Sequence, residues 1–325
     1  MTGDIPFALG TFSAGDGAFP GLVVGERVID LRARFGPQAT VLALVEDWEA
    51  GLEALSALAE AAPDDAHLLS DLRPLAPLTP RQILCAGANY HKHVREIVVS
   101  ALRVEGDSRP IEELRAEAEA QLARRKSTEP YMFAAVPSAV CGPRDDVVLW
   151  PPGRCHDWEL ELAVVIGRGG RDIDEGEAMA HVAGYTISND ISDRDVQQRP
   201  RFPMTDFLMS KNRPTYFPTG PYLVPRQFVP DPRALRIRLS VNGETMQDES
   251  VNDIIYGVEE LVAYASRIVG VRPGDLILTG SPAGNAGHHG DRWLVPGDVM
   301  EGEITGLGIQ RNRCVAPPSR SAQPA

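Results

Sequence analysis

Residues 156–167 read HDWELELAVVIG, and the fold turns on how this run is placed. Its second half, Leu162, Ala163, Val164, Val165 and Ile166, is apolar at every position, the pattern of a strand buried on both faces. Its first half alternates. Glu159 and Glu161 lie two residues apart, so in a strand both project from one face. Two readings follow. The glutamates lie on the wet face of an edge strand with Trp158, Leu160 and Leu162 turned inward, or they are buried together. In the second case repulsion and lost hydration call for protonation or a bound cation. A hard divalent ion such as Mg²⁺, Mn²⁺ or Ca²⁺ takes oxygen ligands of this kind. Alternation by itself favours the half-exposed strand, and the rest of the chain has to decide.

The chain has 325 residues, enough for one large domain or two ordinary ones. Its 43% hydrophobic content fits a packed globular core. A formal net charge of −13 argues against nucleic acid and against an anionic membrane as main partners. A small anionic substrate stays allowed, because a local cation inverts the field of one pocket. No apolar run approaches the roughly 20 residues needed to span a bilayer. Cys85, Cys141, Cys155 and Cys314 show no metal-like spacing and read as free thiols of a reducing compartment. The opening MTGDIPFALG lacks a basic stretch followed by an apolar core, so the expected location is the cytoplasm.

Residues 1–35 read as short strands with Gly-rich turns, and 40–61 carry apolar residues at helical spacing. RPLAPLTP (73–80) is punctuated by proline like a linker. The expected organisation is therefore a small N-terminal α/β domain (1–78), a main domain (79–315) and a disordered tail (316–325). RQILCAGA reads as a strand and GANYHKHVRE (87–96) as a turn into a short helix. Residues 111–126 read as a helix, with Pro110 at its start, acids leading, and Arg124, Arg125 and Lys126 in its last turn. Strands and turns dominate from about 130 onward, apart from a helix at 256–269. This is not the regular strand–helix alternation of a doubly wound sheet; it predicts a β-rich α+β fold.

Further segments carry chemistry. GYTISNDISDRDVQ (184–197) places Asp190 where an apolar strand meets a loop, followed by Asp193, Arg194 and Asp195. An acidic surface turn is one reading; joined to Glu159 and Glu161, Asp190 completes a three-carboxylate site with positions left for substrate and water. His93 and Glu96 lie three apart and share a helix face. They form either a surface pair or a carboxylate that orients an imidazole to activate water. Lys211 precedes a Pro- and Gly-rich turn in KNRPTYFPTGP. RPGDLILTGSPAG (272–284) carries a strand into a glycine turn where the backbone around Thr279 approaches a ligand closely. His288 and His289 read as part of a flexible Gly-rich loop rather than as metal ligands.

In this order, over roughly residues 79–313, the segments resemble the fumarylacetoacetate hydrolase family. GANYHKHVRE is similar to its GxNYxxHxxE, PYMFAAVPSAVCGP to PxxFxKxxSAxxGP, HDWELELAVVIG to DYExELAVVIG, and GYTISNDISDRDVQ to GYTxxNDxSARDxQ. KNRPTYFPTGP resembles KSFDTFxPxGP, residues 241–284 the long C-terminal signature, and 295–312 the closing PGDxxxxxIxGxGxxxN. The resemblance implies a mixed β-sandwich roll, a homodimer, and a divalent cation, Mg²⁺ or else Mn²⁺ or Ca²⁺, on Glu159, Glu161 and Asp190. It implies a water-activating dyad of His93 and Glu96 on a lid, substrate polarisation by Lys211, and a pocket lined by Arg194, Gln197 and Thr279. The implied activity is hydrolysis of a C–C bond in a 1,3-diketo acid, such as an acylpyruvate or fumarylpyruvate, through a metal-stabilised enolate. The family also contains oxaloacetate decarboxylases and isomerases or hydratases of 2-oxo acids such as aromatic-degradation intermediates, and these share the site. A non-catalytic binding protein would lack a ligand or a dyad member, and none is missing here. Three departures bear on substrate: Ala135 stands where the family often has Lys, KSFD is here Lys211-Asn212-Arg213-Pro214, and a lid insertion at about 97–130 carries its own helix. Arg213 is expected to restore the charge missing at 135 and to meet a substrate carboxylate.

Overall fold

In the computed structural model, which describes residues 5–15, 17–61, 66–199 and 202–318, the apolar half of the opening run is the strand Leu160–Ile166, buried at all seven positions. It lies inside a six-stranded mixed sheet in the order Val224–Pro225, Val182–Asn189, Leu160–Ile166, Leu276–Leu278, Ile83–Ala86, Met132–Ala135. Neighbours are antiparallel except Leu276–Leu278 beside Ile83–Ala86. A five-stranded sheet packs against it, in the order Glu244–Ser250, Arg236–Val241, Val299–Ile304, Gly308–Val315, Val147–Val148. Leu160 sits over Gly302 of that second sheet, where an added Cβ would lie 2.7 Å from Leu160 Cδ1. Leu160 therefore fills the space between the sheets, and alternation turns Glu159 and Glu161 to the opposite face. That face is covered as well, and both glutamates are buried. The half-exposed edge strand is thus overturned by the layers on both sides. The fold is sheet-rich with flanking helices, as the sequence predicts.

The N-terminal segment forms a separate five-stranded antiparallel sheet, in the order His67–Leu68, Arg27–Asp30, Ala18–Val24, Ala8–Ser13, Arg73–Leu75. Its last strand comes from the segment read as a linker. Extended, Pro-rich backbone is suited to a sheet edge, and Thr11 Oγ1 donates to the Pro77 carbonyl at 2.7 Å. Leu9 and Leu223 exchange backbone hydrogen bonds of 2.9 and 2.7 Å, and one continuous apolar core runs from Phe7 and Leu22 to Leu162 and Cys314.

The helix expected at 40–61 is two helices, Val41–Glu46 and Trp48–Ala61. Thr40 caps the first by accepting the Ala43 N–H. The chain bends at Asp47, and Gly51 allows the second helix close to the first: a Cβ there would meet the Leu44 carbonyl oxygen at 3.1 Å. His91–Val104 continues well beyond the short helix expected. Ile111–Lys126 has the expected bounds and buries Leu114, Ala118 and Leu122 along one stripe. These two helices pack together. Val258–Ile268 is held at its start by Glu260, which accepts the Gly257 N–H at 2.7 Å. Among the described residues, no helix is long and apolar enough to cross a membrane. Of the expected disordered tail, residues 319–325 lie outside the described residues.

Gly184 sits in the central sheet where an added Cβ would lie 2.1 Å from the Val224 carbonyl oxygen. This contact is backbone to backbone, so no side chain can move aside. Gly184→Ala is expected to destabilise the protein by about 1–3 kcal/mol, measured as a lower urea midpoint at constant slope. Gly176→Ala, which points into open space, should leave the midpoint in place.

Candidate active site

The antiparallel register of Leu160–Ile166 with Val182–Asn189 sets Asp190 beside the glutamates. Glu159 N–H donates to Asn189 Oδ1 at 2.9 Å, and Asp190 N–H donates to the Glu159 carbonyl at 2.9 Å. Glu159, Glu161 and Asp190 are all buried, and each offers an oxygen within 4.8 Å of the others. Such a donor set is of the kind that could hold a divalent cation. The helix Phe207–Lys211, capped by Asp206, delivers Lys211 from below. Lys211 Nζ donates to Glu159 Oε2 at 2.5 Å, Asp190 Oδ2 at 2.6 Å and Ser192 Oγ at 2.7 Å. Arg194 Nη2 donates to Glu159 Oε1 at 2.7 Å, and its Nε donates to Asp157 Oδ2 at 2.9 Å. The Gly280 N–H donates to Glu161 Oε2 at 2.6 Å.

These cations do not balance the acids. Among the described residues, Asp157, Glu159, Glu161 and Asp190 face only Lys211 and Arg194 as ion-pair partners. The consequence falls unevenly. For Glu159, burial opposes ionisation, but Arg194 and Lys211 outweigh it and hold the carboxyl well below its usual range. Burial, then repulsion from Asp190 and Glu159, pushes Glu161 well above its ordinary value. Burial also raises Asp190 in spite of Lys211. The Oδ1 atom of Asp190 is buried without a hydrogen-bond partner among the described residues. An orphaned carboxylate oxygen in an under-neutralised cluster fits a divalent cation held by Glu159, Glu161 and Asp190.

His93, in the first turn of His91–Val104, is buried with no partner on Nδ1 among the described residues. Burial pushes its imidazole down to about 4, so the ring is neutral near pH 7. Glu96 shares its helix face, as expected, but the described residues show no hydrogen bond between them. The Glu96 carboxylate lies instead 2.7 Å from His288 Nε2. His288 Nδ1 accepts the Gly284 N–H at 2.9 Å. His93, Glu96 and His288 bring one donor atom each within 4.8 Å. His288 belongs to the turn Ala286–His289 rather than to the flexible loop expected, and no sequence spacing could have joined it to Glu96.

A cavity of about 370 Å³ connects these groups. His93, Glu159, Glu161, Asp190, Arg194, Gln197 and Lys211 line it, joined by Arg125, Tyr131, Phe133 and Phe207. Phe133 and Phe207 stack with centroids 4.2 Å apart, and Lys211 Nζ lies 5.4 Å from the Phe133 ring. Thr279 and Arg213 are not among the lining residues. Thr279 is buried under the floor, where its carbonyl accepts the Asn89 side-chain amide at 2.9 Å. The charge of Arg213 acts on Asp193, lowering a carboxyl that burial raises. Arg125, from the helix Ile111–Lys126, lines the cavity.

Residues 82–315 match the family described as fumarylacetoacetate (FAA) hydrolase C-terminal. The chain is 37% identical over 295 residues to the oxaloacetate tautomerase FAHD2A, mitochondrial, of Bos taurus, covering 90% of this chain and 85% of that protein. It is 41% identical over 189 residues to the 2,4-didehydro-3-deoxy-L-rhamnonate hydrolase of Sphingomonas sp. (strain SKA58), covering 57% of this chain and 65% of that one. The crystal structure of maleylpyruvate hydrolase from Sphingobium sp. SYK-6 superposes with a TM-score of 0.73 at 25% identity, covering 95% of this chain and 100% of that one.

Mg²⁺ or Mn²⁺ is expected to raise the melting temperature, with stabilisation of about 2.7 kcal/mol at a hundredfold excess over the dissociation constant. Glu161→Gln mimics the protonated acid that burial favours. It should keep the metal-free melting temperature at or above wild type while abolishing the metal-induced rise; a rise of undiminished size would remove Glu161 from the ligand set.

Proposed function

The chain belongs to the fumarylacetoacetate hydrolase family, a family of enzymes, and we propose that within it this protein is a divalent-cation-dependent hydrolase cleaving a C–C bond in a 1,3-diketo acid. The observation that carries this reading is the buried trio Glu159, Glu161 and Asp190, within 4.8 Å of one another in a cavity that also holds His93. Held by that trio, Mg²⁺, or Mn²⁺ or Ca²⁺ in its place, would supply Lewis acidity toward the oxygens of a 2-oxo acid. The chain's own residues do the rest. His93 takes a proton from water, and the resulting hydroxide adds to the carbonyl distal to the 2-oxo acid. The C–C bond then breaks, its electron pair leaving as an enolate that is reprotonated on carbon, while the acyl part departs as a carboxylate. Glu96, paired with His288, sits one helical turn from His93 and anchors that end of the helix. Lys211 and Arg194 fix the carboxylate orientations and hold positive charge beside the reacting oxygens. Gln197 lines the same wall, and the stacked Phe133 and Phe207 rings add an apolar surface to it.

A second reading is supported by similarity to the bovine oxaloacetate tautomerase over nine-tenths of this chain. Here His93 would remove the proton from carbon rather than from water, and a keto–enol exchange would leave the carbon skeleton intact. Decarboxylation of the same kind of substrate is the third outcome of one experiment. Acetylpyruvate, fumarylpyruvate and oxaloacetate are each incubated with Mg²⁺ and the products identified. Pyruvate with acetate or fumarate assigns the hydrolase. Loss of enol absorbance with oxaloacetate recovered assigns the tautomerase, and release of carbon dioxide assigns the decarboxylase.

The reading also takes the protein as a homodimer in the cytoplasm. The free Cys85, Cys141, Cys155 and Cys314 support a reducing compartment, although the bovine relative is named as mitochondrial; light scattering tests the dimer. His93→Ala is expected to lower kcat by about 10²–10⁴-fold while retaining the Mg²⁺-induced rise in melting temperature. Loss of both together would place His93 among the cation's ligands instead.

A further inference from the structure

Arg125 occupies an unusual place for an arginine. Leu114, Ala118 and Leu122 form the buried stripe of the helix Ile111–Lys126, and Arg125 is the next residue on that stripe. It is half-buried and lines the cavity. Its Nη2 donates to the Gly87 carbonyl at 2.6 Å. Among the described residues no carboxylate pairs with it. The other cations of the wall are committed: Lys211 to Glu159 and Asp190, and Arg194 to Glu159 and Asp157. A guanidinium has five N–H donors in a planar fork that matches a carboxylate bidentately. Here most of those donors are unclaimed, and burial without a counter-charge lowers the Arg125 pKa.

The group is also pre-positioned. Tyr256 Oη donates to the Arg125 carbonyl at 2.5 Å. The adjacent Lys126 Nζ donates to the Ile255 carbonyl at 2.6 Å and to Glu260 at 2.5 Å. The helix end is thus tied to a second element, so little side-chain and backbone freedom remains to be lost on binding. Apolar Ile97 and the Phe133–Phe207 stack contribute the wall along which a carbon chain can lie.

We propose that Arg125 is the specificity-determining residue of this site, receiving a second carboxylate at the far end of a dicarboxylic 2-oxo acid whose other end meets Glu159, Glu161 and Asp190. The inference rests on the reading of the site as one for 2-oxo acids. It transfers to Arg125 the part expected of Arg213, which does not line the cavity.

The test is calorimetric binding, in the presence of Mg²⁺, of 2-oxoglutarate and of 2-oxopentanoate. These share a head and a chain length and differ in the terminal carboxylate. Wild type should bind 2-oxoglutarate at least about tenfold more tightly. Arg125→Gln should erase the preference by weakening 2-oxoglutarate alone. Arg125→Lys, which keeps the charge but loses the fork, should keep part of the preference and guards against a folding defect. A preference that survives in Arg125→Gln, or equal weakening of both ligands, overturns the inference and leaves the 2-oxo acid reading standing. Binding of neither ligand to the wild type overturns both.

Discussion

Everything around the cavity answers one electrostatic problem, the burial of Glu159, Glu161 and Asp190 within reach of one another. Carboxylates taken out of water must be paired or neutralised. Lys211 reaches Glu159 and Asp190 at once, and Arg194 clamps Glu159 to Asp157. Among the described residues Glu161 has only the Gly280 N–H. The partial settlement is informative. Full neutralisation by side chains would leave no use for a cation, whereas none at all would leave the cluster too costly to bury. The protein stands between these limits, with Asp190 Oδ1 unpartnered.

The sheets make this arrangement affordable in space. Leu160 occupies the gap created by Gly302, and with Leu160 turned into that layer its two acidic neighbours point the other way. A shift of one residue in the register of this strand would send Leu160 into the cavity and the glutamates into the apolar layer. The site is therefore positioned by packing on the face that carries no chemistry.

Legibility in the sequence followed the range of the interactions. The strand Leu160–Ile166, the helix Ile111–Lys126 and the i, i+2 relation of the glutamates were readable because periodicity is local. The family resemblance was readable because its motifs are contiguous. The break at Asp47 was hidden, since it depends on the close approach of Gly51 to Leu44. The strand Arg73–Leu75 was hidden because a Pro-rich extended segment looks alike whether it is solvated or paired. The partnership of His288 with Glu96 spans the chain and leaves no periodic trace. Arg125 was counted as an ordinary basic residue in a last helical turn. Only its place on the buried stripe, beside the exposed Arg124, sets it apart.

The strand order has a consequence in time. Leu276–Leu278 is inserted between Leu160–Ile166 and Ile83–Ala86, so two strands synthesised early cannot join until a third, made late, arrives between them. Contacts of such long sequence separation form slowly. The glycine amide that holds Glu161 and the imidazole that meets Glu96 both follow that late strand. The buried carboxylate Glu161 and the lid residue Glu96 are therefore each completed by a partner more than a hundred residues further along the chain, Gly280 and His288.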